Sequence, residues 1–201
     1  MKLNRSGVWT SSGSWSVLGG GTVEARGRLV GGCLDTVAAL AGTPYGDVPA
    51  FGREHGPLVV YLEACDATAF DTCRLLHGLR YAGWFEHAAA VLVGRPSAPD
   101  SDGFTQRDAV EDALGMLDVP VVLDLEIGHV PPHLPLVNGA DADVVVADEV
   151  VGDGVAAQLG RRLAVLVRER VAQPPAAALV RRESDLVHRR SVVVPRGRGA
   201  G

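Results

Sequence analysis

"GPLVVYLEACDATAFDTCRLLHGLRYAGWFEHAAAVLVGRP", residues 56–96, changes its hydrophobic period twice. "PLVVYLEA" is a short apolar run with β-branched and aromatic residues, which reads as a buried strand. In "DTCRLLHGLRYAGWF" the period lengthens. Leu75, Leu76 and Leu79 share one face of an amphipathic helix, and Gly83 stands near its stop. "HAAAVLVGRP" then returns to strand. Alternation of strand and helix defines the α/β class.

The same alternation extends outward. Upstream, "WSVLGGGTVEARGRLVGG" (15–32) reads as strand, turn, strand. "CLDTVAALAG" (33–42) carries apolar residues at helical spacing and ends at Gly42, with Pro44 beyond it. Downstream, "TQRDAVEDALGMLD" (105–118) predicts a helix with Thr105 as N-cap and Glu111 exposed. "VPVVLDLEIG" (119–128) is a further strand and "ADADVVVADE" (140–149) a short one. "GVAAQLGRRLAVLVRERV" (154–171) reads as a helix. The expected organisation is an irregular leader over 1–16, one α/β domain over 17–170, and a disordered Pro/Arg-rich tail over 171–201.

Composition narrows the function classes. The chain has 201 residues, 47% hydrophobic, and a formal net charge of -5, which suits a folded domain with its own core and argues against a nucleic-acid binder. No run of 18 apolar residues predicts a membrane span, and the first residues lack the apolar core of a signal peptide. Cys33, Cys65 and Cys73 show no metal-knuckle spacing and read as free thiols in a reducing, cytoplasmic setting. Neither a "GxGxxG" nor a "GxxxxGK[ST]" loop occurs, so nucleotide binding by such a loop is unsupported.

"LEIGHVPPHLPLVNG", residues 125–139, ends a strand and sets His129 between a glycine and a proline-rich loop. Such a histidine is a turn filler, a metal ligand or a base at a sheet edge. Glu126, His129 and His133 have an E-x-x-H-x3-H spacing that would hold zinc on a helix. Pro131 and Pro132 forbid a regular helix there, so no metal is expected. Glu63 ends the strand "PLVVYLE", where an unpaired carboxylate is costly and needs a partner. His129 is the natural candidate. His55, His77, His87 and His188 read as surface residues, and Trp15 and Trp84 as packing residues.

Three stretches occur in a telling order: "GRLVGGCLDTVAALAGTP" (27–44), "VVYLE" (59–63) and "GHVPPHLPLVNGA" (128–140). Together they resemble the C-terminal domain of the LD-carboxypeptidase family of serine peptidases, which includes the microcin immunity carboxypeptidases. The segment between the second and third also follows the family pattern, with the usual arginine displaced to Arg74 and Ala64 following the acid. The resemblance spans roughly residues 15–165. It implies a Ser-Glu-His triad in which Glu63 is the orienting acid and His129 the general base, with no metal or organic cofactor. It also implies a murein tetrapeptide or a microcin-type peptide-nucleotide as substrate, and a homodimer for the full-length family. Neither nucleic acid nor membrane is expected as a partner.

A serine needs an imidazole to take its proton, and the imidazole needs an acid to fix its tautomer. In the family the nucleophile lies in a preceding domain on a "GxSD" turn. Here Ser6, Ser11, Ser12, Ser14 and Ser16 fall in the leader, Ser97 and Ser101 in a loop, and Ser184 and Ser191 in the tail. None follows a strand and precedes a helix, as a nucleophile elbow requires. The sequence therefore reads as the acid- and base-bearing half of such an enzyme. Its nucleophile is expected in another domain or a separate chain. A non-catalytic binding module of the same fold is the other reading.

Overall fold

The computed structural model describes residues 2–3, 8–11, 15–151 and 158–168, with side chains described over 15–146. The sequence-predicted tail, 171–201, lies outside the described residues. Two short strands, β1 (Lys2–Leu3) and β2 (Val8–Ser11), occur where the sequence reads as an irregular leader. β3 (Ser16–Val17) and the long β4 (Val23–Cys33) follow, then α1 (Leu34–Leu40) and α2 (Val48–His55). The central alternation is β5 (Leu58–Glu63), α3 (Ala69–Tyr81), β6 (Ala88–Gly94), α4 (Gln106–Leu114) and β7 (Val121–Leu125). β8 (Asp141–Val151) and β9 (Gln158–Arg168) complete a nine-stranded sheet of order β1-β2-β9-β8-β4-β5-β6-β7-β3.

The α/β expectation is met. β4, β5, β6 and β7 run parallel, so their C-terminal ends share one edge. The flanking pairs β4–β8, β8–β9, β2–β9 and β3–β7 are antiparallel. The two strands of the stretch 15–32 do not form a hairpin. β3 pairs with β7 at one end of the sheet, while β4 sits in its interior.

Alternation along the parallel strands fills two cores. Leu58, Val60 and Leu62 of β5, with Val91, Val121 and Leu123, pack under the helices beside Leu34, Leu76, Leu79, Val110 and Leu114. Val59, Leu92, Val122 and Leu125 face the other way, against Trp15, Ile127, Val144, Leu134 and Leu136. Each fully buried Leu or Val is worth roughly 1.5–3 kcal/mol. Trp15 and Trp84 are both buried packing residues, as the sequence suggests. α4 begins on a capping box in which Thr105 and Asp108 satisfy each other's backbone N–H groups.

β7 carries one irregularity that matters for the site. Leu92 is opposite Val122, yet Gly94 is opposite Leu125, so β7 holds one residue more than β6. The extra residue is Asp124, at φ 65°. This bulge reverses the inward–outward parity, which sends Leu125 to the face away from the helices.

Two sequence readings are corrected. Residues 154–171 read as a helix, but Gln158–Arg168 is a strand whose backbone pairs with all of β8. Arg, Leu and Ala suit a helix, but "LAVLV" suits a strand equally, and the open side of β8 decides between them. α2 is not evident from the sequence, because Pro49 and Gly52 depress helix propensity. It forms on the Asp47 side chain, which accepts from the Ala50 N–H, with proline placed in the first turn where its missing N–H costs nothing.

Candidate active site

Glu63 is the last residue of β5 and is buried, with 8% of its surface exposed. His129 lies four residues beyond β7 and is exposed. The structure brings them together across 66 positions of chain: His129 Nδ1 is 2.9 Å from Glu63 Oε2. The pair sits at the C-terminal edge of the parallel strands, where open α/β sheets bind ligands. The Glu63 hydrogen bond, and then its charge, raise the imidazole above its ordinary pKa. Burial opposes this shift, and the charge of Asp66 adds to it.

Two glycines make room for the carboxylate. A Cβ at Gly94 would stand 2.9 Å from the Glu63 Cβ, and one at Gly128 would stand 2.5 Å from Oε2. Gly128 also has φ +89°, which turns the chain sharply after β7 and delivers His129 to Glu63.

The loop after His129 is tied down at both ends. Arg95, just past β6, donates to the carbonyls of Val130 (2.9 Å) and Pro132 (3.1 Å). His133 Nδ1 contacts the Gly128 carbonyl. Farther on, Asn138 Oδ1 accepts from the Gly31 N–H at 3.0 Å, and Asn138 Nδ2 donates to the Gly31 carbonyl at 3.1 Å. Between these anchors Leu134 and Leu136 cover the sheet face opposite the helices. Replacing Asn138 by alanine is expected to cost about 1 kcal/mol of stability, because water replaces part of what an exposed side chain loses. Urea unfolding of the variant measures this, and an unchanged midpoint would show that the anchor is not needed.

A cavity of about 400 Å³ opens beside Glu63 on the helix side of the sheet. Leu34, Leu62, Leu76, Val93, Val110 and Leu123 give it apolar walls. The β7 bulge adds Asp124, and α4 adds Arg107. Arg107 donates to Ser16 Oγ of β3 at 3.1 Å.

Arg95, Gly94 and Asn138 are not legible as site residues in the sequence, since their roles arise from contacts between distant segments. Glu126, His129 and His133 do not converge into a ligand group, whereas Cys73, His77 and Asp112 do. His77, read from sequence as a surface residue, is half-buried against Asp112. Among the described residues no serine hydroxyl is hydrogen-bonded to His129. Ser97 Oγ instead bonds the Ala64 and Cys65 carbonyls.

An α/β domain with an acid–imidazole pair at the C-terminal edge of its parallel strands is the kind of domain that carries part of a hydrolase site. The chain belongs to the LD-carboxypeptidase family: residues 26–144 match the LD-carboxypeptidase C-terminal domain. A Streptomyces coelicolor protein named as a carboxypeptidase is 33% identical over 138 residues, covering 68% of this chain and 41% of that protein. A Bacillus subtilis protein named as a murein peptide carboxypeptidase is 25% identical over 130 residues, covering 63% of this chain and 39% of that one. The chain thus spans about two-fifths of the length of these relatives. Muramoyltetrapeptide carboxypeptidase from Oxalobacter formigenes shares the fold, with TM-score 0.58 and 21% identity over 79% of this chain and 50% of that one. The microcin C7 self immunity protein MccF bound to glutamyl sulfamoyl guanosine does likewise, with TM-score 0.60 and 16% identity over 84% of this chain and 52% of that one.

Proposed function

We propose that this chain is the acid- and base-bearing part of a serine-type LD-carboxypeptidase that releases terminal D-alanine from a murein tetrapeptide. The observation that carries this reading is the 2.9 Å contact from His129 Nδ1 to Glu63 Oε2. With Nδ1 committed to Glu63, Nε2 is left for a serine hydroxyl. The serine comes from a domain outside this sequence, in the same polypeptide or in a second chain. As serine Oγ attacks the scissile carbonyl, His129 Nε2 takes its proton and Glu63 stabilises the imidazolium. Collapse of the tetrahedral intermediate breaks the C–N bond, and His129 returns the proton to the leaving D-alanine amine. Water then enters by the same route and frees the serine. No step needs a metal or organic cofactor.

The name of the Bacillus subtilis relative supports the murein peptide as substrate. A microcin-type peptide-nucleotide is the second substrate class, suggested by the MccF fold likeness. Recycled murein peptides and three free cysteines favour the cytoplasm as the site of action. Among the described residues no helix is long and apolar enough to cross a membrane. The complete enzyme is proposed to act as a homodimer.

The test is D-alanine release from purified tetrapeptide. The chain alone is expected to give none, and the chain supplied with a nucleophile-bearing domain of a relative is expected to give turnover. Turnover by the chain alone that disappears in His129→Ala would place a nucleophile within it and overturn the divided-triad reading. A complemented enzyme that binds the peptide without cutting it would favour the binding module.

A further inference from the structure

Away from Glu63 and His129, a second group of reactive side chains joins α3 to α4. Cys73 and His77 are four residues apart on α3, hence on one helix face, and Asp112 comes from α4. Asp112 Oδ2 lies 2.7 Å from His77 Nε2 and 3.4 Å from Cys73 Sγ. One oxygen therefore sits between a thiol and an imidazole, and the three donor atoms all lie within 4.8 Å of one another.

We propose that Cys73, His77 and Asp112 form a binding site for a divalent transition metal of the zinc class that bridges α3 and α4. Tetrahedral zinc at ordinary bond lengths places its ligands roughly 3.2–3.8 Å apart, a spacing these atoms reach by small side-chain rotations. A thiolate and an imidazole select zinc, cobalt or a similar ion over magnesium and calcium, which prefer oxygen. A thiolate and a carboxylate together neutralise the ion, with His77 uncharged. The nearby guanidiniums have other partners: Arg74 pairs with Asp71, and Arg80 donates to the Ala113 carbonyl. The Asp112 side chain is 59% exposed, so the fourth position opens to water.

The site has a structural consequence. Thr72 and Leu76 on α3, and Gln106 and Val110 on α4, line the cavity beside Glu63. A metal clamped across the same two helices would stiffen that wall. In the absence of metal the trio is an ordinary polar contact between helices, and the experiment separates the two.

The full chain, freed of metal by a chelator, is titrated with cobalt(II). The expected result is a thiolate-to-cobalt charge-transfer band in the near ultraviolet that saturates at one equivalent and is displaced by zinc. Cys73→Ser should abolish the band, Cys65→Ser should leave it, and His77→Gln or Asp112→Asn should weaken binding at least tenfold. Absence of the band, or its survival in Cys73→Ser, overturns the proposal. Should a variant fail to fold, the unaltered chain still decides. Zinc should protect Cys73 from alkylation, located by mass spectrometry, and protection of Cys33 or Cys65 instead overturns the site.

Discussion

Gly128→Ala is expected to destabilise the domain by roughly 2–5 kcal/mol. Two terms add. A left-handed backbone conformation costs a side-chain-bearing residue roughly 1–2 kcal/mol, and forcing a methyl group into filled space costs roughly 1–3 kcal/mol. The space at Gly128 is filled by Glu63, whose Oε2, Cβ and Cδ all lie within 2.8 Å of where the new carbon would stand. Glu63 has little room to retreat, since its Cβ already rests against Gly94. The control is Gly139→Ala. Gly139 has φ +82°, nearly that of Gly128, but nothing within 4 Å of an added carbon. It should lose only the backbone term. Urea unfolding of both variants measures the difference, and equal losses would mean that Gly128 is selected for its turn alone.

The alternating core of the fold is legible in the sequence. β5, α3, β6, α4 and β7 are legible because their apolar periods are clean and their ends carry capping or turn residues, as at Thr105 and Gly83. Glu63 and His129 are legible as a pair because a strand end that buries a carboxylate demands a partner, and the family motifs place one. The closeness of Gly128 to that carboxylate is not legible. Nothing in "EIGHV" distinguishes a glycine needed for φ from one needed for space. The same holds for Arg95 and Asn138, whose partners are backbone groups 35 and 107 positions away. The bulge at Asp124 leaves no signal either, because "VVLDLEI" alternates acceptably in either register. β9 is not legible as a strand because its residues suit two periods and only the neighbouring strand decides. Cys73 and His77 at helical spacing offered half of a ligand set, and the half supplied by α4 appears only once the helices pack.

Glu63→Gln carries the largest expected effect on chemistry. The substitution keeps the size of the side chain and removes its charge. The imidazole of His129, held above its ordinary value of 6.5 by the Glu63 hydrogen bond and charge, should titrate at lower pH in the variant. NMR titration of the His129 ring in the chain alone measures this without any need for turnover. The sign for stability follows from the same shift. A histidine whose folded-state pKa is raised contributes stability that is fully present below the unfolded value, and it is lost as pH rises through the folded value. The unaltered chain should therefore lose a small increment of stability above pH 6.5, and Glu63→Gln should lose less. On the proposed mechanism a neutral His129 would be the base, so the enzyme completed with its nucleophile domain should gain activity as pH rises through the raised value. Removing the acid of a Ser-His-acid triad lowers turnover by about four orders of magnitude, because the imidazole loses both its tautomer and the charge that stabilises its protonated form. Glu63→Gln should approach that loss in kcat, with KM little changed, since on the proposed mechanism Glu63 would act through His129 and not on the substrate. An unchanged His129 titration in the variant would show that the 2.9 Å contact is not kept in solution, and the proposed roles of both residues would fall together.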